Sequence, residues 1–166
     1  MAAIDAFMGS TKIPIGVDVP QIWQPGRELG SGEYISKIPL EVNGEIGDQK
    51  LIITSCPNAD SLTFSILVTF EPTICRLDFD HVTHSNSHAI GTDDIEPIIH
   101  GPHYHPWDLN RRFFTHATKP IELHNAIPLG SSIHQFDAAL RWFCDENKII
   151  LKHDHRIELP SRTSLL

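Results

Sequence analysis

The sequence predicts an α+β fold: an antiparallel β-meander sheet with one main C-terminal helix packed on it. Three observations carry that prediction. Residues 62–70, LTFSILVTF, set Leu62, Phe64, Ile66, Val68 and Phe70 against Thr63, Ser65, Leu67 and Thr69, the period of a half-buried strand. The links NGEIGD, PNADS and EPT around this run are turn-forming and too short for parallel crossovers. Towards the C-terminus Ile133, Phe136, Leu140, Phe143 and Cys144 recur at helical spacing.

The elements follow in order. Residues 1–33 are punctuated by Pro and Gly and read as an irregular N-terminal arm, with Trp23 as its packing anchor. In YISKIPLEV, residues 34–42, Ile38, Leu40 and Val42 share one face, and Asn43-Gly44 then opens a hairpin turn. QKLIITSC is the second strand and LTFSILVTF the third. ICRLDFD points Leu77 and Phe79 one way and Arg76, Asp78 and Asp80 the other. Residues 81–96 form a polar loop too long for a simple turn, a kind that is commonly functional. PIIHGPHYH returns to the sheet, and Pro102 and Pro106 mark its end as a stiff edge strand or a bulge rather than a central strand. WDLNRRFF is a helical turn or an irregular link. Ser132 and Gln135 form a capping box for the C-terminal helix, which ends near Asn147. KIILKH is a final strand, and residues 161–166 are a frayed tail. The whole is one domain, 1–166, with its α+β core over 34–160.

Composition narrows the partners. With 13 Lys+Arg against 21 Asp+Glu the formal charge is −8, which opposes tight binding to duplex DNA but leaves room for a small basic cleft. Cys56, Cys75 and Cys144 are scattered, without a C-x-x-C pair, so neither a disulfide framework nor a cysteine zinc knuckle is expected. That pattern fits a cytoplasmic, reducing location. The opening residues lack the basic and apolar regions of a signal peptide, and no stretch approaches the roughly 20 apolar residues of a membrane span.

The chemistry concentrates in the 11 histidines. His103 and His105 are two apart, so on a strand they share a face. Such a pair suits two ligands of one metal ion, or a base and an acid flanking a phosphate. Asp78 supplies a carboxylate to the same kind of site, and Arg76 a guanidinium for an anion. His84, in the polar loop, is the third imidazole able to fold over the strand. The candidate catalytic set is therefore His103, His105, His84 and Arg76. The candidate metal set is His103, His105, His84 and Asp78, around a divalent transition metal such as zinc. Arg111 and Arg112 make a local basic spot, and His124 and Asn125 come within reach if their segment pairs beside the His103 strand.

Three motif matches are set aside. Arg76 to His81 has the R-x-x-x-x-H spacing of the HEPN ribonucleases, but on a strand rather than a helix. His81-Val82-Thr83 and His116-Ala117-Thr118 resemble the paired H-x-T elements of two-histidine phosphoesterases, yet lie only 35 residues apart without duplicated lobes. A cupin reading of His103-Tyr104-His105 lacks the downstream Glu. CRLDFDHVTHSNSH, GPHYH and LRWFCDENKI together resemble a group of small bacterial proteins with an Arg-Leu-Asp strand, a His-x-Asn loop and a Gly-Pro-His-x-His strand. The resemblance spans roughly residues 62–150 and departs after His105, at PWDLNRR. It implies a grouping of Arg76, Asp78, His84, Asn86, His103 and His105, and names no reaction.

Two functions fit these residues. One is a small soluble hydrolase acting on a phosphate-containing, nucleotide- or RNA-like substrate through histidine acid/base or metal-assisted chemistry. The other is a non-enzymatic accessory domain with a structural or pH-sensing histidine cluster, docking on a protein partner through a free sheet edge.

Overall fold

The computed structural model describes residues 1–26, 32–70, 72–86, 95–114, 123–152, 155 and 157–161. The N-terminal residues are more regular than their Pro and Gly content predicts. They form α1 (Ala2–Gly9), β1 (Lys12–Pro14) and β2 (Gln24–Pro25). Ile4 and Phe7, one helical turn apart, bury in the core, and Trp23 packs against it as expected. Both short strands line the outer edge of β3 (Tyr34–Val42), at opposite ends.

The hairpin from β3 to β4 (Glu45–Ser55) turns on Asn43 and Gly44, whose φ values of 54° and 82° match a two-residue primed turn. β5 (Phe64–Thr69) and β6 (Thr73–Phe79) extend the meander. From the expected polar loop, β7 (Thr83–Ser85) pairs with β8 (Ile98–His100), the first part of PIIHGPHYH, as a separate two-stranded sheet, so only the second part of that run returns to the main sheet. β9 (His103–His105) then rejoins the main sheet, followed by α2 (Trp107–Asn110), a 3-10 turn over Arg111–Phe113, and β10 (Ile127–Pro128). The main sheet has 8 strands in the order β1-β3-β4-β5-β6-β9-β10, with β2 also on β3. α3 (Phe136–Glu146) is the main helix.

The alternation in each strand sorts the two faces. Ile38, Leu40, Leu51, Ile53, Ile66, Val68 and Leu77 point into one core with Phe136, Ala139, Leu140 and Phe143 of α3. Each such buried side chain contributes about 1.5–3 kcal/mol of transfer free energy. The other face carries Lys37, Ile52, Leu67 and Arg76, none of them buried.

Three local expectations are corrected. α3 starts at Phe136 with Gln135 at its N-cap and no side-chain cap bond, so the Ser132 capping box does not form. The chain is instead held in a turn by the Ile133 N–H on the Gly130 carbonyl. Among the described residues KIILKH contributes a single parallel bridge, Ile149 to Lys12, just after Lys148 leaves the helix at φ 53°. β9 is flanked by β6 and β10 rather than lying at an edge. Pro102 and Pro106 sit just outside its three residues, where neither removes a ladder donor. The expected tail at 162–166 and the His116–Thr118 element fall outside the described residues. Among the described residues no helix is long and apolar enough to cross a membrane.

Candidate metal centre

Register builds the site. β6 pairs antiparallel with β9 so that Arg76 opposes His105 and Asp78 opposes His103, while Ser65 of β5 opposes Asp78 from the other side. Opposed residues share a face, so five polar side chains gather on the side away from the core. The β7–β8 hairpin then lays His84 over the pair. The His84 ring centroid is 4.9 Å from that of His103 and 4.7 Å from that of His105, and the latter two are 5.0 Å apart. One potential ligand atom from each of the three lies within 4.8 Å of the others.

The surrounding carbonyls assign the tautomers. His103 Nδ1 donates to the Gly101 carbonyl at 2.8 Å, and His105 Nδ1 to the Asn125 carbonyl at 3.1 Å. His84 Nε2 donates to Asn86 Oδ1 at 3.1 Å and to the His124 carbonyl at 3.2 Å. Each ring thus commits one N–H to an oxygen, which leaves a lone pair on the other nitrogen: Nδ1 of His84 and Nε2 of His103 and His105. This is how metal-ligating histidines are held. His105 is fully buried, and its Nε2 has no hydrogen-bond partner. An unsatisfied buried nitrogen costs about 1–3 kcal/mol unless something fills its lone pair.

No protein-family model, curated protein or solved structure matches the chain.

Electrostatics favour the neutral form of His84 and His105. Burial lowers the pKa of both His84 and His105, with the Arg76 charge acting in the same direction. Asp78 Oδ2 lies 3.6 Å from His103 Nε2 and 3.5 Å from His105 Nε2, too far for good hydrogen bonds. The same distances are close to the ligand–ligand edge of a tetrahedral ion, about 3.4 Å for bonds near 2.1 Å. Burial pushes the Asp78 carboxyl up, but the Arg76 guanidinium and the Ser65 hydroxyl, both bonded to it, work against that and it stays well below the usual carboxylate range. Arg76 Nε donates to Oδ2 at 2.6 Å and Ser65 Oγ to Oδ1 at 2.7 Å. Arg76 is the most open of the group, with 39% of its side chain exposed.

All the predicted central residues therefore meet: His84, His103, His105, Asp78 and Arg76. Others serve elsewhere. Asp80 accepts from the Val82 N–H in a turn, Arg111 faces Asp5 of α1 at 3.9 Å, and Arg112 stacks on Phe113. His124 and Asn125 do reach the site, through backbone carbonyls rather than side chains, because β10 pairs with β9.

Three supports are not legible in the sequence, and a fourth, Asn86, is grouped with the site only by the resemblance. Ser65 was visible only as a polar strand residue. Gly101, at φ +83°, aims its carbonyl at His103. Asn110, fully buried, clamps Asn125 by accepting from its N–H and donating to its carbonyl. Asn86 binds the Ala126 N–H and carbonyl as well as His84. The one sequence signal for these was the His-x-Asn spacing itself.

Proposed function

We propose that this protein is a metal-dependent hydrolase of phosphate esters, of nucleotide or RNA type, with a divalent transition metal such as zinc on His84, His103 and His105. The observation that carries this reading is the buried, unpartnered Nε2 of His105, in a cluster where His84 and His103 each bring a ring nitrogen within 4.8 Å of the others. Three neutral nitrogen ligands leave a fourth position for water, the usual arrangement of a catalytic zinc. Arg76 uses Nε on Asp78, so its terminal nitrogens remain at the rim for a phosphate oxygen. Asp78 keeps negative charge beside the cation and holds Arg76 in place.

The test is metal content of the purified protein together with hydrolysis of bis(p-nitrophenyl) phosphate and of single-stranded RNA. About one metal per chain and metal-dependent turnover are expected, both lost in His103→Ala/His105→Ala. Stoichiometric metal without turnover on any phosphate ester favours the second reading, a structural metal in an accessory domain. The burial of His103 and His105, at 5% and 0% exposure, is the feature that speaks for that alternative. Absence of metal from a folded wild-type protein overturns both.

A further inference from the structure

The His-x-Asn spacing carries a second residue that the metal set leaves out. Strand residues two apart share a side, so Asn86 follows His84 onto the side turned to the main sheet, while Thr83 and Ser85 are exposed. Asn86 continues the β7–β8 register by one residue, its N–H donating to the Pro97 carbonyl at 2.9 Å. Its side chain is buried.

What that side chain meets is the end of the main sheet, where β10 is the last strand. Ile127 pairs with Tyr104, and the Leu129 N–H donates to the Pro102 carbonyl, so these residues spend their backbone groups on β9. In an antiparallel ladder the alternate residues turn theirs outward. Ala126 is one of them. Its N–H donates to Asn86 Oδ1 at 2.8 Å, and its carbonyl accepts from Asn86 Nδ2 at 2.9 Å. The Asn86 amide thus pairs with Ala126 as a neighbouring strand would. Its remaining capacity goes to the Glu96 carbonyl at 2.7 Å and to His84 Nε2 at 3.1 Å. Because the Ala126 N–H fixes Oδ1 as an acceptor, His84 must present Nε2–H to it, which leaves Nδ1 free. The His124 carbonyl, 3.2 Å from the same Nε2, holds the ring in the same sense.

From this edge pairing we infer that Asn86 is the positioning residue of the metal centre. It docks β7 on the sheet edge and thereby sets His84 over His103 and His105 with Nδ1 as its donor. This role rests on the metal reading of the three histidines, although the docking itself needs no ion. Asn86 touches neither metal nor substrate and acts through His84.

The experiment compares the full-length wild type with Asn86→Leu, similar in shape but unable to pair. The control is Thr83→Val, which deletes the Thr83–His100 bond from the exposed side of the same hairpin. Zinc affinity is read against a chromophoric chelator, and the visible spectrum of bound cobalt(II) reports the ligand set. Asn86→Leu is expected to lose about 10- to 100-fold in zinc affinity and to move the cobalt spectrum towards that of His84→Ala. Thr83→Val keeps both. Asn86→Asp keeps the acceptor for Ala126 and His84 and gives up only the donors, so it retains the wild-type spectrum and guards against a leucine variant that fails to fold. Unchanged affinity in folded Asn86→Leu overturns the role, as does an equal loss in Thr83→Val or an aspartate variant whose spectrum follows His84→Ala. Hydrogen exchange of the metal-free proteins separates the two ideas. A wild type that takes up no metal sinks the metal reading. Hairpin amides that exchange no faster in metal-free Asn86→Leu than in the metal-free wild type sink the docking.

Discussion

At the level of single residues, the proposed site turns on whether Asp78 would touch a metal held by the three histidines or only neighbour it. Its Oδ2 is within a tetrahedral edge of two ligand nitrogens, yet that oxygen already accepts a short bond from Arg76. We read it as a neighbour, which keeps the fourth position open. Asp78→Asn should therefore retain about one metal per chain, weaken its affinity by about 10- to 100-fold as loss of an outer partner does, and lower turnover. The checks are metal content after dialysis and a competition titration against a chromophoric chelator. Complete loss of metal from a folded variant makes Asp78 a ligand and the site a closed one. Four of the five central residues are legible because strand alternation assigns faces without any coordinates, and His84 is legible as an imidazole in the adjoining polar loop. Their supports were not: the Gly101 and Asn125 carbonyls are backbone groups, and residue type says nothing about where a carbonyl points.

Secondary-structure elements are tied together by another buried group, Lys12. Its Nζ donates to the carbonyls of Met8 and Ser10 at the end of α1, at 3.3 and 2.8 Å, and of Asn147 at the end of α3, at 2.9 Å. Helix C-termini leave carbonyls without intrahelical donors, and one ammonium here serves two helices. It also lies 4.7 Å from the centre of the Phe7 ring. Lys12→Met keeps the volume but strands three acceptors, and should cost about 2–4 kcal/mol in a urea unfolding experiment. A cost under about 1 kcal/mol would contradict the role. Sequence patterning located the meander because each strand there is long and its turns are chemically marked. It missed α1, β1 and β2 because these depend on tertiary contacts: two or three residues pair only when β3 offers an edge. It misplaced the start of α3 for a related reason, since Ile133 packs on the core from a turn and mimics a helical position.

For the whole molecule, the buried ionisable groups behind the sheet set its response to alkali. Burial pushes the thiols of Cys75 and Cys144 up to about 12, from an ordinary 9.0. Above pH 9 the unfolded chain releases these protons while the folded chain keeps them. Their stabilising contribution is thus complete below pH 9 and is lost as pH rises towards 12. Lys12 works the other way, because burial lowers it to about 8 from 10.5, so folding releases its proton and stability gains between those values. Urea midpoints should consequently decline gently between pH 9 and 10.5. Above that they should decline more steeply, by about 4 kcal/mol per pH unit, because the buried Tyr104 hydroxyl, also pushed up by burial, joins the two thiols in keeping a proton that the unfolded chain gives up. Midpoints that hold steady to pH 11 would show that the thiols are not shielded. The histidine cluster, for its part, joins side chains from two sheets: His84 from the small β7–β8 hairpin, His103 and His105 from the large one. A cation held by all three is then a clasp, fastening an appended flap to the body of the protein. On chelation the first amides to exchange and the first bonds cut by protease should belong to that flap, while the meander beneath it stays closed.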